Sequence, residues 1–197
     1  MPAIEPVKPR IVSSTVDARD RPKDFLTPEE VERLVAATKG SRYPLRDRAM
    51  LLVMYHHGLR VSELVGLRVA NVDLLTSRLW IRRAKGGLDT EHPIMGAELR
   101  AIKRYLATRQ DSLPWLFISE RGAPFARMSI YKMIQHTAAR AGLPNVHPHT
   151  LRHSCGYYLA NKGCDLRLIG DYLGHRSVQS TMRYTRTAAS RFEGLWR

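Results

Sequence analysis

Residues 147–185 read HPHTLRHSCGYYLANKGCDLRLIGDYLGHRSVQSTMRYT, and the spacing of their apolar side chains predicts three consecutive helices. In the first helix, His149 and Arg152 are three residues apart and therefore lie on one face. An apolar stripe on another face is expected to bury this helix. The predicted stripe consists of Leu151, Cys155, Tyr158 and Leu159.

The second predicted helix begins after Asp165, a favourable N-cap residue, and its inner face carries Leu166, Ile169 and Leu173. Gly174 is predicted to end this helix, because glycine readily adopts the left-handed conformation that follows many helices. His175 therefore comes just past a helix end, where a tight turn can direct its side chain.

The third predicted helix begins after Ser177. Its inner stripe is expected to consist of Val178, Thr181, Met182 and Thr185. At about 100° per residue, Tyr184 lies roughly 110° from the centre of that stripe. This geometry predicts that Tyr184 is not a core residue.

Each of these polar residues is common on its own, but together they indicate a particular chemistry. A His-x-x-Arg pair, a histidine at a helix end and a tyrosine off the apolar stripe follow one another near the end of a strongly basic chain. Such a set predicts a site that binds a phosphate and attacks it with a phenol.

The composition fits a single domain with a polyanionic partner. The chain has 197 residues, of which 44% are apolar, enough for one hydrophobic core. A net charge of +14 and a pI near 10.4 favour a polyanion over a merely soluble basic protein. The longest apolar run, 49–55, is too short for a membrane span. Cys155 and Cys164 are too few for a disulfide framework or a cysteine zinc site.

The first part of the chain predicts an arm followed by helices. Residues 1–26 contain four prolines and no sustained period, which indicates a flexible arm. Thr27 opens a helix with a capping box, and a second helix is predicted over 44–57. Its predicted apolar face consists of Leu45, Ala49, Leu52, Val53 and His56. Arg60 follows at a helix-to-helix corner, where Glu63 either holds its guanidinium or forms a simple surface pair with it.

The middle of the chain predicts a small sheet. Residues 78–82 and 88–94 have strand character, and Gly86-Gly87 allows a tight turn that places Lys85 at the hairpin tip. Such a lysine is usually a solvated edge residue, and it gains a function only if the hairpin leans over a phosphate.

Further helices are predicted over 96–109 and 127–141, with a short strand over 115–119. Arg127 and Lys132 on the later helix are available to solvent or to phosphates. The expected fold is therefore mostly α with a small antiparallel β-sheet, in the α+β class.

Six residues in order resemble the catalytic set of the tyrosine recombinases, the phage-integrase-like family. They are Arg60, Lys85, His149, Arg152, His175 and Tyr184. The similarity covers about residues 25–197 and is densest in HPHTLRHSCGYYLANKG, RLIGDYLGHR, RYT and RFEGLW. With the hairpin AKGGLDTEHPI, the chain is most similar to the small fimbrial-switch recombinases, which invert a promoter element.

The resemblance implies a tyrosine recombinase catalytic domain over 27–197, preceded by an arm over 1–26. Larger members of the family carry a separate helical DNA-binding domain before the catalytic one. Only about 26 residues precede Thr27 here, as in the fimbrial-type members, which lack that domain.

The resemblance also implies a mechanism. Arg60 and Arg152 would contact the phosphate oxygens, where negative charge gathers during attack. Tyr184 would be the nucleophile and would leave a 3′-phosphotyrosine and a free 5′ hydroxyl. No metal and no other cofactor is implied.

The remaining three residues would handle protons and the phosphate. His149 would act as acid and base, His175 would donate a hydrogen bond to the phosphate, and Lys85 would protonate the departing 5′ oxygen. The implied partners are double-stranded DNA with short inverted-repeat sites, a homotetramer formed on it, and accessory DNA-bending proteins, with no membrane. The implied location is the bacterial cytoplasm, in association with the nucleoid.

The C-terminal residues 186–197 end in the apolar side chains of Phe192, Leu195 and Trp196. By resemblance this tail docks on a neighbouring subunit, and the alternative is that it packs on its own domain.

Three other functions remain open at this point. A type IB topoisomerase uses the same phosphotyrosine chemistry but acts alone, so it would relax DNA without a specific site. A non-catalytic DNA-binding regulator would explain the charge but not the six-residue set. A zinc hydrolase is disfavoured, because His149 and His153 lack an intervening catalytic glutamate. Its histidines would be His147, His149, His153 and His175.

Overall fold

A computed structural model describes residues 24–84, 87–175, 177 and 179–184. The helices are α1 (Pro28–Ala36), α2 (Pro44–His56), α3 (Val61–Gly66), α4 (Gly96–Leu106), α5 (Arg127–Arg140), α6 (Pro148–Asn161), α7 (Leu166–Leu173) and α8 (Gln179–Met182), with 3₁₀ turns at Ala37–Gly40 and Val69–Asn71. The strands are β1 (Val72–Asp73), β2 (Arg78–Ile81) and β3 (Thr90–Pro93), in one antiparallel sheet. The predicted α+β class is confirmed. Within the described ranges, no helix has the length and apolar character needed to cross a bilayer.

The helix ends follow the capping residues that the sequence contains. Thr27 Oγ1 accepts a hydrogen bond from the Glu30 N–H at 3.3 Å, and the Glu30 carboxylate accepts one from the Thr27 N–H at 2.8 Å. The Asp165 carboxylate accepts from the Leu168 N–H at 2.8 Å, and Gly174 ends α7 with φ of 63°. These three predicted boundaries are confirmed, because each cap satisfies backbone groups that a helix end leaves unpaired.

The second helix, α2, is the centre of the core. Residues 49–55 are all buried, because α1, α4 and α6 pack around them. The prediction that one face of this helix is buried is therefore wrong, because all its faces are buried over 49–55. Leu45 in the first turn is 37% exposed, whereas Met50 and Met54, which lie off the predicted face, are fully buried.

The sheet differs from the predicted hairpin in its strand lengths. Ile81 pairs with Thr90, and β2 and β3 are both shorter than the strands predicted over 78–82 and 88–94. The Gly87 N–H donates to the Ala84 carbonyl at 3.4 Å, and the predicted Gly86-Gly87 turn stays a prediction. Lys85 and Gly86 themselves lie outside the described residues.

The fourth helix is shorter than predicted, and one predicted strand does not form. The fourth helix ends at Leu106, not at residue 109. The strand predicted over 115–119 is wrong, because its ends form only single bridges, Arg68 with Trp115 and Ile118 with Pro124. The helix predicted over 127–141 is confirmed within one residue.

The sixth helix, α6, buries a different face from the one predicted. Leu151 and Cys155 are buried as expected, but Tyr158 is exposed, while Tyr157 and Arg152 are buried. Because α6 packs against α2, α5 and α7, more than one of its faces is covered. The helix therefore carries a charged residue into the core, next to the ends of two other helices.

Candidate active site

Arg60 occupies the corner between α2 and α3, and Glu63 holds it there. Arg60 Nη1 donates to Glu63 Oε1 at 2.7 Å, and the Arg60 backbone N–H donates to Glu63 Oε2 at 2.9 Å. The Glu63 side chain is 1% exposed and that of Arg60 is 23% exposed. The predicted pair is confirmed, and its buried carboxylate excludes a simple surface pair. The guanidinium is thus anchored inside and still reaches solvent.

Arg152 is buried beside this pair, and two backbone carbonyls hold its guanidinium. Nη1 donates to the Gly58 oxygen at 2.5 Å, and Nη2 donates to the Leu173 oxygen at 2.7 Å. Leu173 is the last residue of α7, where helical carbonyls lack partners, and Gly58 follows the end of α2 by two residues. Burial, and then the charge of Arg60, lowers the pKa of Arg152 to about 10, so the group stays protonated at neutral pH.

A third arginine, Arg83, is one that sequence reasoning misses. Its side chain is completely buried, and its Nη1 donates to Glu63 Oε2 at 3.1 Å. Its Nη2 donates to the carbonyls of Tyr172 and, at 3.3 Å, of His57. A signal for it does exist, since β2 alternates exposed and buried residues and continuing that alternation past Ile81 places Arg83 inside.

Glu63 is the common partner of the three arginines. Burial alone would raise the pKa of Glu63, but the hydrogen bonds from Arg60 and the charge of Arg83 lower it below its usual range. Its Oε2 also lies 3.9 Å from Arg152 Nη1. One carboxylate therefore lies among three guanidinium groups, and the excess positive charge at this corner suits an anion.

The two candidate histidines differ in exposure. His175 is half-buried in the turn after α7, and its Nδ1 lies 2.8 Å from Thr181 Oγ1. Burial, and then the charges of Arg152 and Arg60, lowers the pKa of His175 to about 4, so the ring is neutral at neutral pH. His149 is exposed in the first turn of α6.

Tyr184 is buried, and the prediction that it lies away from the core is wrong. The last helix, α8, ends at Met182, and Arg183 and Tyr184 form a turn, so helical angles do not extend to the tyrosine. The predicted stripe of this helix holds at Thr181 but is wrong at Met182, which is exposed. The other two predicted stripe residues, Val178 and Thr185, lie outside the residues that the structure describes.

The pocket around Tyr184 is formed chiefly by α6. Its ring lies against Gly156, where a Cβ atom would come within 2.5 Å of ring carbon. Its hydroxyl lies 3.2 Å from His153 Nδ1, and its ring meets Tyr157 edge-on at 5.2 Å between centroids. Burial raises the pKa of Tyr184 to about 12, although the charge of Arg152 opposes the shift. The phenol is therefore protonated here, and attack on a phosphate requires a change in its surroundings.

The structure thus brings Arg60, Arg152 and His175 together with Tyr184. Lys85 lies outside the described residues, while Arg127 and Lys132 are exposed on α5. In the part of the chain that the structure describes, no cluster of three or more histidine, cysteine or carboxylate side chains fits a metal ion. The four-histidine arrangement of a zinc hydrolase is accordingly not supported.

A buried polar network next to the arginines also escapes sequence reasoning. His56 Nδ1 and His57 Nε2 contact the two carboxylate oxygens of Glu98 at 2.9 and 2.8 Å. His57 Nδ1 lies 3.2 Å from His92 Nδ1, and the His92 ring packs against Tyr172, tilted by 31°, at 3.9 Å between centroids. The network joins α2, β3, α4 and α7. Because its members come from four separate segments, no local sequence pattern predicts it.

The sequence matches the phage integrase family over residues 24–191. It is similar to the type 1 fimbriae regulatory protein FimB of Escherichia coli strain K12, with 40% identity over 185 residues that cover 91% of this chain and 92% of FimB. It is also similar to the type 1 fimbriae regulatory protein FimE of the same strain, with 42% identity over 178 residues that cover 87% of this chain and 90% of FimE. The predicted resemblance to this family is confirmed.

The fold is similar to that in the crystal structure of XerA recombinase, with a TM-score of 0.75 and 32% identity. The comparison covers 84% of this chain and 61% of the XerA chain, so this chain spans less than two thirds of that protein. The similarity to the two fimbrial regulatory proteins, in contrast, extends over nearly their whole length.

Proposed function

The chain belongs to the phage integrase family, and from this membership we propose that it is a tyrosine recombinase that cuts and rejoins DNA at specific sites. Its similarity to the two fimbrial regulatory proteins favours DNA inversion, with integration or excision as the related outcomes. The observation that carries the proposal is the convergence of Arg60 and Arg152 on Glu63, next to His175 and Tyr184.

The arginines supply the electrostatic part of the reaction. A phosphodiester under attack gathers negative charge on its non-bridging oxygens, and groups fixed in advance stabilise that charge best. Arg60 presents a partly exposed guanidinium, and the carbonyl contacts of Arg152 fix a second one beside it. Guanidinium groups stay protonated at neutral pH and can bind two phosphate oxygens each.

Tyr184 performs the covalent step in this proposal. Its oxygen forms a bond to phosphorus as the bond from phosphorus to the 5′ oxygen breaks, which gives a 3′-phosphotyrosine. His149 accepts the phenolic proton, Lys85 donates a proton to the departing 5′ oxygen, and His175 donates a hydrogen bond to the phosphate. Because the link to tyrosine keeps the energy of the broken ester, rejoining needs no nucleotide hydrolysis. The ring must first leave its position against Gly156.

The proposed assembly follows from the same chemistry. Exchange between two duplexes needs four cleavages, so we expect a homotetramer on double-stranded DNA with short inverted repeats. Accessory DNA-bending proteins and a location at the bacterial nucleoid fit such a substrate. Residues 27–197 form the catalytic domain in this proposal, with 1–26 as an arm and 186–197 as a tail that docks on a neighbouring subunit. Arg127 and Lys132 are the proposed phosphate contacts outside the active site.

A plasmid assay tests the proposal. Purified protein is incubated with a supercoiled plasmid that carries candidate inverted repeats taken from the DNA beside its own coding sequence. We expect inversion of the enclosed segment by the wild type and none by Tyr184→Phe. Relaxation of a plasmid without any such site would instead indicate a type IB topoisomerase. Binding without strand breakage under all conditions would indicate a non-catalytic regulator.

A further inference from the structure

The last three residues of the predicted N-terminal arm pack against α6, the helix that forms most of the Tyr184 pocket. The Leu26 N–H donates to Ser154 Oγ at 2.8 Å, and this hydrogen bond is buried. The Leu26 side chain is 8% exposed and belongs to the main core, so the segment is anchored at this end. We call residues 24–26 the strap.

An aromatic contact connects the strap to the wall of the tyrosine pocket. The Phe25 ring lies 4.1 Å from the Tyr157 ring between centroids, at a tilt of 34°. Tyr157 in turn meets the Tyr184 ring edge-on at 5.2 Å between centroids. The three rings pack in one apolar cluster that is distinct from the main core. Tyr157 therefore contacts both the strap and the proposed nucleophile.

A charged contact connects the strap to the same pocket. Asp24 Oδ2 lies 3.9 Å from His153 Nε2 and 3.8 Å from Arg183 Nη2. His153 contacts the Tyr184 hydroxyl through its other ring nitrogen at 3.2 Å. Arg183 Nη1 also lies 3.3 Å from His153 Nε2. The Asp24 carboxylate thus links α6 to the residue that precedes the nucleophile.

The charged contact is exposed enough to be broken locally. The side chains of Asp24 and Arg183 are 42% and 51% exposed, so solvent and anions reach this ion pair. Exposed ion pairs contribute little to the stability of a fold. A DNA phosphate is also an anion, and it can replace Asp24 on Arg183 when DNA approaches the tyrosine. DNA binding can therefore release the strap without unfolding the domain.

We propose that the strap is an autoinhibitory contact, which holds Tyr184 in its enclosed position until DNA binds. The inference rests on the function proposed above, because it concerns the use of Tyr184 as a nucleophile. Tyr184 is 1% exposed, and its ring has to leave this position before its oxygen can reach a phosphate. The strap braces two of the side chains that enclose it, Tyr157 and His153. Loosening the strap should therefore free the tyrosine more often.

Acetylation of tyrosines by N-acetylimidazole measures how often Tyr184 becomes exposed in the free protein. Peptide mass spectrometry assigns the modification to each tyrosine. The reaction rate of an enclosed side chain follows the population of its locally opened form. An aromatic contact contributes about two- to tenfold to such an equilibrium. We therefore expect Tyr184 to react about two- to tenfold faster in Phe25→Ala than in the wild type.

Asp24→Asn tests the charged contact, and Glu32→Gln is its matched control. Glu32 is exposed on α1. Both variants remove one negative charge, but only Asp24→Asn removes the contact with His153 and Arg183. Because an exposed ion pair is weak, we expect Tyr184 to react about two- to fivefold faster in Asp24→Asn. In Glu32→Gln it should react at the wild-type rate.

Two other tyrosines separate release of the strap from a general loosening of the fold. Tyr105 is buried in the main core and should stay unreactive in every variant. Tyr131 is exposed on α5 and should react at the same rate in all of them. Faster reaction of Tyr105 together with Tyr184 would mean that the substitutions merely destabilise the fold, and it would overturn the inference.

Cleavage of nicked site DNA tests the inhibitory part of the inference. At DNA concentrations well below saturation, the rate depends on the free-energy difference between the free protein and the transition state. The strap stabilises only the free protein in this proposal. Cleavage by Phe25→Ala should therefore exceed that by the wild type by the factor found in acetylation. Cleavage by Asp24→Asn should exceed that by Glu32→Gln in the same way.

Unchanged acetylation of Tyr184 in both Phe25→Ala and Asp24→Asn would overturn the inference. Faster acetylation without faster cleavage, in proteins that do cleave, would also overturn it, because the strap would then not be inhibitory. Absence of cleavage by the wild type and by every variant would count against the proposed function. If Tyr184 were still acetylated faster in Phe25→Ala, that result would support the hold of the strap on the tyrosine.

Discussion

The ring of Tyr184 lies against Gly156, the position on α6 where any side chain would collide with it. Gly156 follows Arg152 by one helical turn, so the proposed nucleophile is held close to a proposed phosphate-binding arginine. Its hydroxyl, however, contacts His153 and is almost fully enclosed. The structure therefore describes a protein whose nucleophile is protonated and turned away from solvent.

Gly156→Ala should push the tyrosine out of this pocket. The added Cβ would lie 2.5 Å from the ring, so the ring has to move. Because burial is what raises the pKa of Tyr184 to about 12, we expect the pKa to fall toward the ordinary value of about 10. Ultraviolet difference titration, with Tyr184→Phe to identify the signal, measures this change.

Gly66→Ala provides the matched control, because Gly66 also lies in a helix and an added Cβ there meets nothing within 4 Å. The control therefore replaces a helical glycine by alanine without touching Tyr184. An unchanged pKa of Tyr184 in Gly156→Ala would contradict the packing described above.

His92 should make the fold sensitive to mild acid. Burial, and then the charges of His57 and Arg83, lowers the pKa of His92 to about 3 from an ordinary value of 6.5. Because the pKa of His92 is lower in the folded protein than in the unfolded chain, the unfolded chain binds a proton at His92 at a pH where the folded protein does not. Stability therefore falls as the pH drops from about 6.5 to about 3, by about 1.4 kcal/mol per pH unit for this residue.

His92→Phe keeps a ring against Tyr172 and removes the titrating group. We expect urea unfolding between about pH 6 and pH 5 to show a shallower loss of stability in the variant, by up to about 1.4 kcal/mol per pH unit. Glu98, in the same network, does not titrate in this window. Burial would raise its pKa, but the hydrogen bonds from His56 and His57 lower it to about 2. Identical slopes for the two proteins would show that His92 takes up its proton in the folded state.

DNA binding should weaken steeply with salt. Each phosphate that the protein neutralises contributes about −0.9 to the slope of log K against log salt. With a net charge of +14, we expect a slope of at least about −4 on that basis. Arg127→Ala and Lys132→Ala should each reduce the slope by about one, because each removes one proposed phosphate contact. A nearly flat dependence, measured by fluorescence anisotropy, would mean that the charge does not serve DNA binding.

The sequence predicts best those features that one short segment decides. The Thr27 capping box, the Asp165 cap and the left-handed Gly174 all depend on backbone groups within a few residues, and all are confirmed. The Arg60–Glu63 pair is equally local, since the two residues lie three apart. Local rules were sufficient there because the two partners lie within a few residues of each other, even though Arg83 also reaches Glu63 from a distant segment.

The sequence predicts least well what distant segments decide together. Tyr184 is buried because its ring packs against Gly156 of α6, where no side chain occupies the space. Arg152 is buried because it donates hydrogen bonds to the carbonyls of Gly58 and Leu173, near the ends of two other helices. Arg83 finds Glu63 across the fold, and Glu98 finds two histidines of α2. Periodicity can indicate that a position such as Arg83 lies inside, but it does not identify the distant groups that pair with the buried charge.

The most direct measurement of the central claim is covalent trapping. Site DNA with a nick beside the cleavage position lets the short 5′ strand diffuse away, so the protein–DNA link cannot be resealed. We predict that the wild type forms a complex that survives SDS, and that peptide mapping finds the nucleotide on Tyr184. Tyr184→Phe should bind the same DNA and give no such complex. A covalent complex that persists in Tyr184→Phe, or that maps to another residue, would contradict the account.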